Sequence, residues 1–166
     1  GGCQTGSSTD VQPVLPALVQ NEFGPYCDGI NEQLSVEYPF ISGYTTASCK
    51  WKAVEEQKGV FNWTQCGNDI EFAQAHGKDL LISPETGTNA PVDWLPTAGV
   101  PAVVVCSHNW KKDPSQCPKD MLSTFPYYLA DAYYGLWRNY HQQLHDMIKA
   151  LPTELSARVR TVQVMQ

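Results

Sequence analysis

The sequence predicts an α/β fold built around a parallel sheet. Short apolar runs alternate with helical patterns that carry their apolar residues on one face. The chain has 166 residues, of which 42% are hydrophobic and 17% are charged, as is typical of a folded domain with a core. Strands that alternate with helices are joined by right-handed crossovers, and these make the strands parallel. Residues 1–10, rich in Gly, Ser and Thr, are expected to form a flexible tail, and residues 11–166 to form the domain.

The first part of the domain is predicted to supply two strands and one helix. An apolar run over residues 14–20 predicts the first strand, with proline tolerated near its start. A helix is predicted over residues 25–38, because Pro25 suits a first helical position and Pro39 stops the pattern. Residues 41–51 follow as a β-type run and are predicted to form the second strand.

The middle of the chain repeats this pattern and then departs from it. A second helix is predicted over residues 63–76, and Gly77 follows it in the position that commonly ends a helix. The third strand, residues 80–83, is apolar on both sides, as parallel strands are. Residues 84–126 form a loop longer than ordinary connections, within which residues 100–106 either form an additional strand or lie under the loop.

The last part supplies the longest helix and the fourth strand. Apolar and aromatic side chains recur every three or four residues over residues 127–151, and this stripe predicts a packing face. Pro152 ends the helix, and residues 158–166 alternate in polarity as a strand does. Because the predicted strands are parallel, the loops that follow them meet at one edge of the sheet, which carries the ligand in such folds.

Composition and motifs argue against several classes of function. The net charge of −6 argues against nucleic acid or an anionic membrane as a partner. The apolar runs are short and contain prolines, so no membrane span is predicted. No phosphate-binding loop or nucleophile motif stands out, and no cofactor is expected. His141 and His145 are spaced i, i+4, but Gln142 replaces the glutamate of a zinc-protease motif, so no metal site is expected.

Six cysteines and one glycosylation sequon indicate an extracellular protein. None of the cysteines forms a CxxC pair, and an even number suits an oxidising compartment with up to three disulfides. Cys106 and Cys117 flank one irregular loop and are the favoured pair, whereas the other pairings stay open. Asn62 begins the triplet Asn-Trp-Thr and is the predicted site of N-glycosylation. The disulfide candidates are Cys3, Cys27, Cys49, Cys66, Cys106 and Cys117.

An ordered set of aromatic, glycine and proline residues carries a resemblance to a known family. The set comprises Trp51, Val54, Glu55, Gly59, Phe61, Trp63, Ala73, Gly77, Lys78, Gly87, Pro91, Trp94, Leu95, Gly99 and Val100. In this order it resembles the (β/α)8-barrel glycoside hydrolases of the β-galactosidase type. The resemblance covers most of the chain from Pro25 onward, including the terminal residues 162–166. Glu56 departs from it, because the family usually has a proline at that position.

The resemblance implies about half of a TIM barrel, with a long disulfide-containing loop after the third strand. Four of the eight strands are present, and a complete barrel needs roughly 250 residues. In the resembled family the general acid follows the fourth strand and the nucleophile lies near the seventh, which places both beyond Gln166. The catalytic residues are therefore unknown. The open edges of a half-barrel require cover, which we expect from a C-terminal half of the chain or from another subunit.

Three residues at the presumed ligand edge are candidates for substrate binding. Trp51 and Trp94 lie just past strand ends, where flat rings suit stacking on a sugar, and the alternative is that they wedge the loops against the sheet. Glu85 follows the third strand and is placed to bind a sugar hydroxyl, with a solvated loop carboxylate as the alternative. Glu55 and Glu56 lie in a turn, where they are expected to accept hydrogen bonds from backbone amides or to face water.

These observations predict a secreted carbohydrate-active protein, the N-terminal part of a glycoside-hydrolase-like barrel that acts on or binds glycans. The alternative is a structural extracellular glycoprotein, such as a filament or assembly subunit, that keeps the barrel fold without its chemistry. Hydrolysis of aryl-glycosides by the intact protein distinguishes the two functions.

Overall fold

A parallel sheet forms the centre of the molecule. The computed structural model describes residues 26–28, 43–46, 48–84, 86–87, 89–106 and 117–162. The strands in chain order are β1 (Tyr26–Asp28), β2 (Gly43–Thr46), β3 (Asp79–Ile82), β4 (Ala102–Cys106), β5 (Leu122–Pro126) and β6 (Val159–Val162). Four of them form one sheet in the order β1-β2-β3-β6, and all three pairings are parallel. The predicted α/β fold with a parallel sheet is confirmed, but the described strands do not close into a barrel.

Four α-helices lie in the part of the chain that the structure describes. They are α1 (Trp51–Val54), α2 (Thr64–Ala75), α3 (Asp131–Ala150) and α4 (Thr153–Ser156). The predicted second helix corresponds to α2, and Gly77 follows it with a φ of +62°, the left-handed conformation that glycine adopts without strain. The long predicted helix is α3, which begins at Asp131 because residues 127–130 form a turn.

Two of the predicted element bounds are wrong. Tyr26–Asp28, at the start of the predicted helix over residues 25–38, is strand β1, because these residues pair with β2 from Gly43 onward. The predicted second strand over residues 41–51 ends at Thr46, and Trp51 begins α1 instead. The tail over residues 1–10 and the strand over residues 14–20 lie outside the described residues, as does the remainder of the predicted first helix.

The long loop after β3 contains a β-hairpin. Strands β4 and β5 pair in antiparallel register, with Val104 opposite Thr124. Of the two alternatives that the sequence left open for residues 100–106, the structure shows the additional strand, which begins at Ala102. The favoured disulfide between Cys106 and Cys117 is also confirmed, and it joins the end of β4 to the segment that precedes β5. A short 3-10 helix, Leu95–Ala98, lies between β3 and this hairpin.

The core lies between the sheet and the helices. It contains fully buried side chains from the strands, such as Tyr44, Leu80 and Ile82, together with Ile70 from α2 and Leu144 from α3. A second disulfide, Cys49–Cys66, lies inside this core and joins the turn after β2 to the first turn of α2. This pair was among the candidates that the sequence left open.

An ion-pair cluster fastens β6 to β3. The carboxylate of Asp79, which is buried at the start of β3, lies 3.0 Å from Arg160 Nε and 3.7 Å from Arg158 Nη1. Both arginines belong to the β6 region, so the charges connect residues about 80 positions apart in sequence. The cluster lies at the amino-terminal edge of β3, whereas the candidate ligand edge is at the carboxyl ends of the strands.

Candidate binding cleft

The loops that follow β2 and β3 enclose a cleft at the carboxyl-terminal edge of the sheet. Its volume is about 550 Å³, which is in the range of small-molecule sites. One wall comes from α1 and its flanks, and the opposite wall comes from the loop after β3. The lining residues are Lys50, Lys52, Ala53, Glu56, Asn89, Pro91 and Asp93. The cleft therefore lies at the edge where the sequence predicted a ligand site.

Hydrogen bonds and one ion pair hold the two walls together. The amide of Trp51 donates to the carbonyl of Pro84 at 3.3 Å, and the amide of Lys52 donates to the carbonyl of Asn89 at 2.8 Å. Above them, Lys52 Nζ lies 3.1 Å from Asp93 Oδ2, with half or more of each side chain exposed. Since two amides of the first turn of α1 already have carbonyl partners, this helix end does not provide an anion site.

Glu55 is a buried residue that connects the two walls of the cleft through hydrogen bonds. Its side chain is only 2% exposed. One carboxylate oxygen accepts a hydrogen bond from Trp51 Nε1 at 2.6 Å, and the other accepts one from the amide of Gly59 at 2.7 Å. Its carbonyl accepts a third from Trp94 Nε1 at 2.8 Å. The expectation that this carboxylate would bind a backbone amide is confirmed, and Glu55 additionally connects the tryptophans on the two walls.

An aromatic cluster packs behind the cleft. The Trp51 ring stacks on Tyr140 with centroids 5.5 Å apart, and it meets Trp94 edge-to-face at 6.2 Å. Tyr133 leans against the same ring at 6.1 Å. The Tyr140 hydroxyl donates to the carbonyl of Cys49 at 2.6 Å, and burial raises the pKa of this phenol. The cluster thus ties α3 to the segment that carries the cleft.

Of the three residues predicted to bind substrate, the structure describes the two tryptophans. Trp51 is fully buried and Trp94 is 9% exposed, so their ring faces are occupied by protein neighbours rather than open for stacking on a sugar. This arrangement favours the alternative, in which both rings pack the loops against the sheet. Glu85 lies outside the described residues. Glu56, which the sequence placed in a turn facing water or a backbone amide, is exposed and lines the cleft.

Most of the cleft was not found by sequence reasoning. The sequence did not indicate Lys50, Lys52, Asn89 and Asp93, although they lie in the segments that follow two buried strands, Lys52 in α1 and the others in loops. That position at a strand's carboxyl end was the available signal. The cleft lies at the edge that the order of the elements predicted, whereas the two tryptophans predicted there are buried behind its lining.

The lining can bind a ligand through many hydrogen bonds. Two ammonium groups are donors, two carboxylates are acceptors and the Asn89 amide provides both. Neutral ligands with many hydroxyl groups suit such mixed polarity, because a hydroxyl both donates and accepts. Among the described residues, no group of three or more His, Cys, Asp or Glu side chains could hold a metal ion.

Replacing Tyr140 by phenylalanine is expected to lower the free energy of unfolding by about 1–2 kcal/mol. The substitution keeps the stacked ring but leaves the carbonyl of Cys49 without its buried donor. Urea unfolding measures the change. Tyr134→Phe is the matched control, because the Tyr134 ring is 65% exposed, and it is expected to change stability by at most about 0.5 kcal/mol. Equal effects of the two variants would contradict a role for the Cys49 hydrogen bond.

His141 is expected to make the fold less stable as the pH falls below neutrality. Its ring contacts Trp137 and Tyr140, its buried Nε2 has no hydrogen-bond partner among the described residues, and burial lowers the pKa of this imidazole. A lowered folded-state pKa means that the unfolded chain binds the proton first. The contribution to stability is therefore complete above about pH 6.5 and declines as the pH falls towards the folded-state pKa.

The urea midpoint measured between pH 7.5 and 5.5 tests this expectation. His141→Gln should reduce the loss of stability across this range. His145→Gln changes an exposed neighbouring histidine and is the control. A wild-type dependence that His141→Gln leaves unaltered would show that His141 is not its source.

Comparison with protein-family models, with curated proteins and with solved structures found no match to this chain. Among the described residues, no helix combines the length and the apolar character needed to cross a membrane. The site therefore has to be interpreted from its own residues. They form a polar cleft, tied across by Lys52 and Asp93 and supported by the buried carboxylate of Glu55.

Proposed function

We propose that this chain is the carbohydrate-binding part of an extracellular glycoside-hydrolase-like protein, and that the cleft is its glycan site. The observation that carries the proposal is the position of a cleft, lined mainly by residues with polar or charged groups, at the carboxyl-terminal edge of parallel strands. Sugars need several convergent donors and acceptors, and Asn89, Glu56 and the two lysines offer them from both walls. The resemblance of the ordered Trp, Gly and Pro positions to barrel hydrolases supports the same ligand class.

The proposal extends to a larger barrel. The four strands follow one another in a single direction across the sheet, as successive (β/α) units of a barrel do, and the two outer strands lack a described neighbour on one side. We propose that a further segment of chain or another subunit covers these edges. In that assembly the catalytic carboxylates would come from outside the 166 residues, and the cleft would contribute binding groups.

Titration with a panel of neutral oligosaccharides, followed by NMR or calorimetry, tests the proposed glycan site. Asn89→Ala is expected to weaken binding about tenfold through lost hydrogen bonds. Asn68→Ala, at an exposed position on α2 away from the lining residues, is the matched control and should bind as the wild type does. Absence of binding to every sugar in the panel, or equal weakening by both variants, contradicts the proposal.

A structural or assembly role is the second candidate. It is favoured by the exposed apolar side chains of the β4–β5 hairpin, namely Val103, Val104, Val105 and Leu122. Such side chains on a two-stranded ribbon are typical of an association surface. Sedimentation of the intact protein tests this role, and a monomer at all concentrations that also cleaves aryl-glycosides would exclude it in favour of the enzyme.

An extracellular location is compatible with the two described disulfides. If the protein is secreted, we expect Asn62 to be N-glycosylated. Asn62 is exposed in the turn before α2, where its Oδ1 accepts a hydrogen bond from the amide of Thr64 at 3.1 Å. Protein secreted from a eukaryotic host is expected to lose mass on treatment with peptide N-glycosidase, whereas Asn62→Gln is expected to lose none. Asn68→Gln is the control and should keep the glycan. An unchanged wild-type mass would overturn this prediction.

A further inference from the structure

The β4–β5 hairpin is separate from the hydrophobic core. Of the described residues between Pro101 and Pro126, no aliphatic or aromatic side chain belongs to the core or packs against it. Val104 is 60% exposed, and its neighbours along β4 are exposed as well. At the base of the hairpin the amide of Tyr127 donates to the carbonyl of Pro101 at 2.8 Å. Among the described residues, β4 therefore gains little stability from burial, whereas β5 is half-buried over residues 123–125 and buried at Pro126.

A two-stranded hairpin without such packing is at best marginally stable in water. The covalent constraint on this one is the Cys106–Cys117 disulfide, which starts at the last paired residue of β4. Removing that constraint increases the conformational entropy that pairing of β4 with β5 must overcome. The order of the hairpin thus depends on the oxidation state of Cys106 and Cys117.

The two described disulfides differ in their access to solvent. Cys106 and Cys117 are each partly exposed, whereas Cys49 and Cys66 are fully buried in the core. Disulfide exchange requires a thiolate to reach a sulfur atom, so access to the sulfur governs its rate. A dissolved thiol can reach the hairpin bond in the folded protein, but it can reach the core bond only after the core opens.

We propose that Cys106–Cys117 is a thiol-operated switch that controls the order of the β4–β5 hairpin while the parallel sheet stays folded. A dithiol acts as the reductant. Its thiolate attacks one sulfur atom to form a mixed disulfide and releases the other cysteine as a thiolate, which takes up a proton. The second thiol of the reductant then displaces the remaining cysteine. Two electrons and two protons pass to Cys106 and Cys117, and the dithiol becomes a cyclic disulfide.

The switch determines whether an apolar surface is presented. In the oxidised form the ribbon holds Val103, Val104, Val105 and Leu122 in fixed positions on paired strands. In the reduced form these side chains belong to a disordered loop, and the surface is lost. This inference does not depend on the proposed glycan site, because the residues that line the cleft are not part of the hairpin.

Partial reduction under native conditions tests the switch. The protein is titrated with dithiothreitol, quenched with iodoacetamide and mapped by peptide mass spectrometry. Cys106 and Cys117 are expected to be alkylated at least about tenfold faster than Cys49 and Cys66. Amide hydrogen exchange in the same samples should show loss of protection in β4 and β5, with protection in β3 unchanged.

The double variant Cys106→Ser, Cys117→Ser distinguishes the effect of losing the disulfide from any other effect of the reductant. Without any thiol it should show the exchange pattern of the reduced wild type. Equal alkylation of all four cysteines would overturn the proposal, as would a hairpin that remains protected after reduction. If the double variant does not fold, the partially reduced wild type still tests the proposed switch, because its hairpin and its sheet are measured in the same molecule.

Discussion

Glu55→Ala is expected to lower the free energy of unfolding by about 3 kcal/mol. The change removes the acceptor for Trp51 Nε1, which is fully buried, and the acceptor for the amide of Gly59. The buried Trp51 donor without a partner costs about 1–3 kcal/mol, and the lost hydrogen bond of Gly59 and the lost side-chain volume add to this. Urea unfolding followed by tryptophan fluorescence measures the effect, with the denaturant slope monitored to verify two-state behaviour.

Two further variants make the Glu55 experiment specific. Glu55→Gln preserves the volume but offers one acceptor and one donor group, so about half of the loss is expected. Glu56→Ala changes the adjacent exposed carboxylate and is expected to remain within about 0.5 kcal/mol of the wild type. A stability of Glu55→Ala indistinguishable from that of Glu56→Ala would mean that the hydrogen bonds of Glu55 do not support the fold.

Removal of the Cys49–Cys66 disulfide by paired alanine substitutions is expected to cost about 3 kcal/mol. The two cysteines are 17 positions apart, and opening this loop increases the conformational entropy of the unfolded chain. The bond joins the turn that precedes α1 to the first turn of α2 inside the core, so its loss affects the cooperative unfolding of the whole domain. The thermal or urea unfolding transition measures the loss.

The matched control is the corresponding double alanine variant of Cys106 and Cys117. Its loop has a sequence separation of 11, for which chain entropy alone predicts nearly the same value, roughly 3 kcal/mol. Because that bond constrains a hairpin outside the core, we expect the main transition to move little and only the hairpin to lose protection. Equal shifts of the main transition would show that the hairpin unfolds together with the core.

The sequence predicted the elements whose stability comes from their own pattern or immediate neighbours. The apolar stripe of α3 placed the longest helix, and the loop between Cys106 and Cys117 suggested their pairing. Prediction from the sequence failed where contacts with distant parts of the chain determine the secondary structure. Tyr26–Asp28 is a strand because β2 lies beside it, and Trp51 begins a helix because its amide meets the carbonyl of Pro84.

The same distinction between local pattern and distant contacts applies to the candidate site. Parallel strands place their following loops at one edge, so the edge could be predicted from the order of elements alone. Which side chains line the cleft depends on how two loops meet. Lys52 reaches Asp93, and Trp94 reaches the carbonyl of Glu55 at a sequence distance of 39, and no local pattern contains that information.

The connection between β3 and β6 has a consequence for how such a fold tolerates insertions. Arg160 pairs with Asp79 across 81 positions, and this span contains the hairpin. Loop-closure entropy grows only with the logarithm of length, so a connection shorter by roughly 25 residues would close with an advantage of only roughly 0.3 kcal/mol. Lengthening the connection between β3 and β6 therefore adds little to the entropy cost of pairing them. A disulfide-bearing module can be gained or lost there without disturbing the sheet.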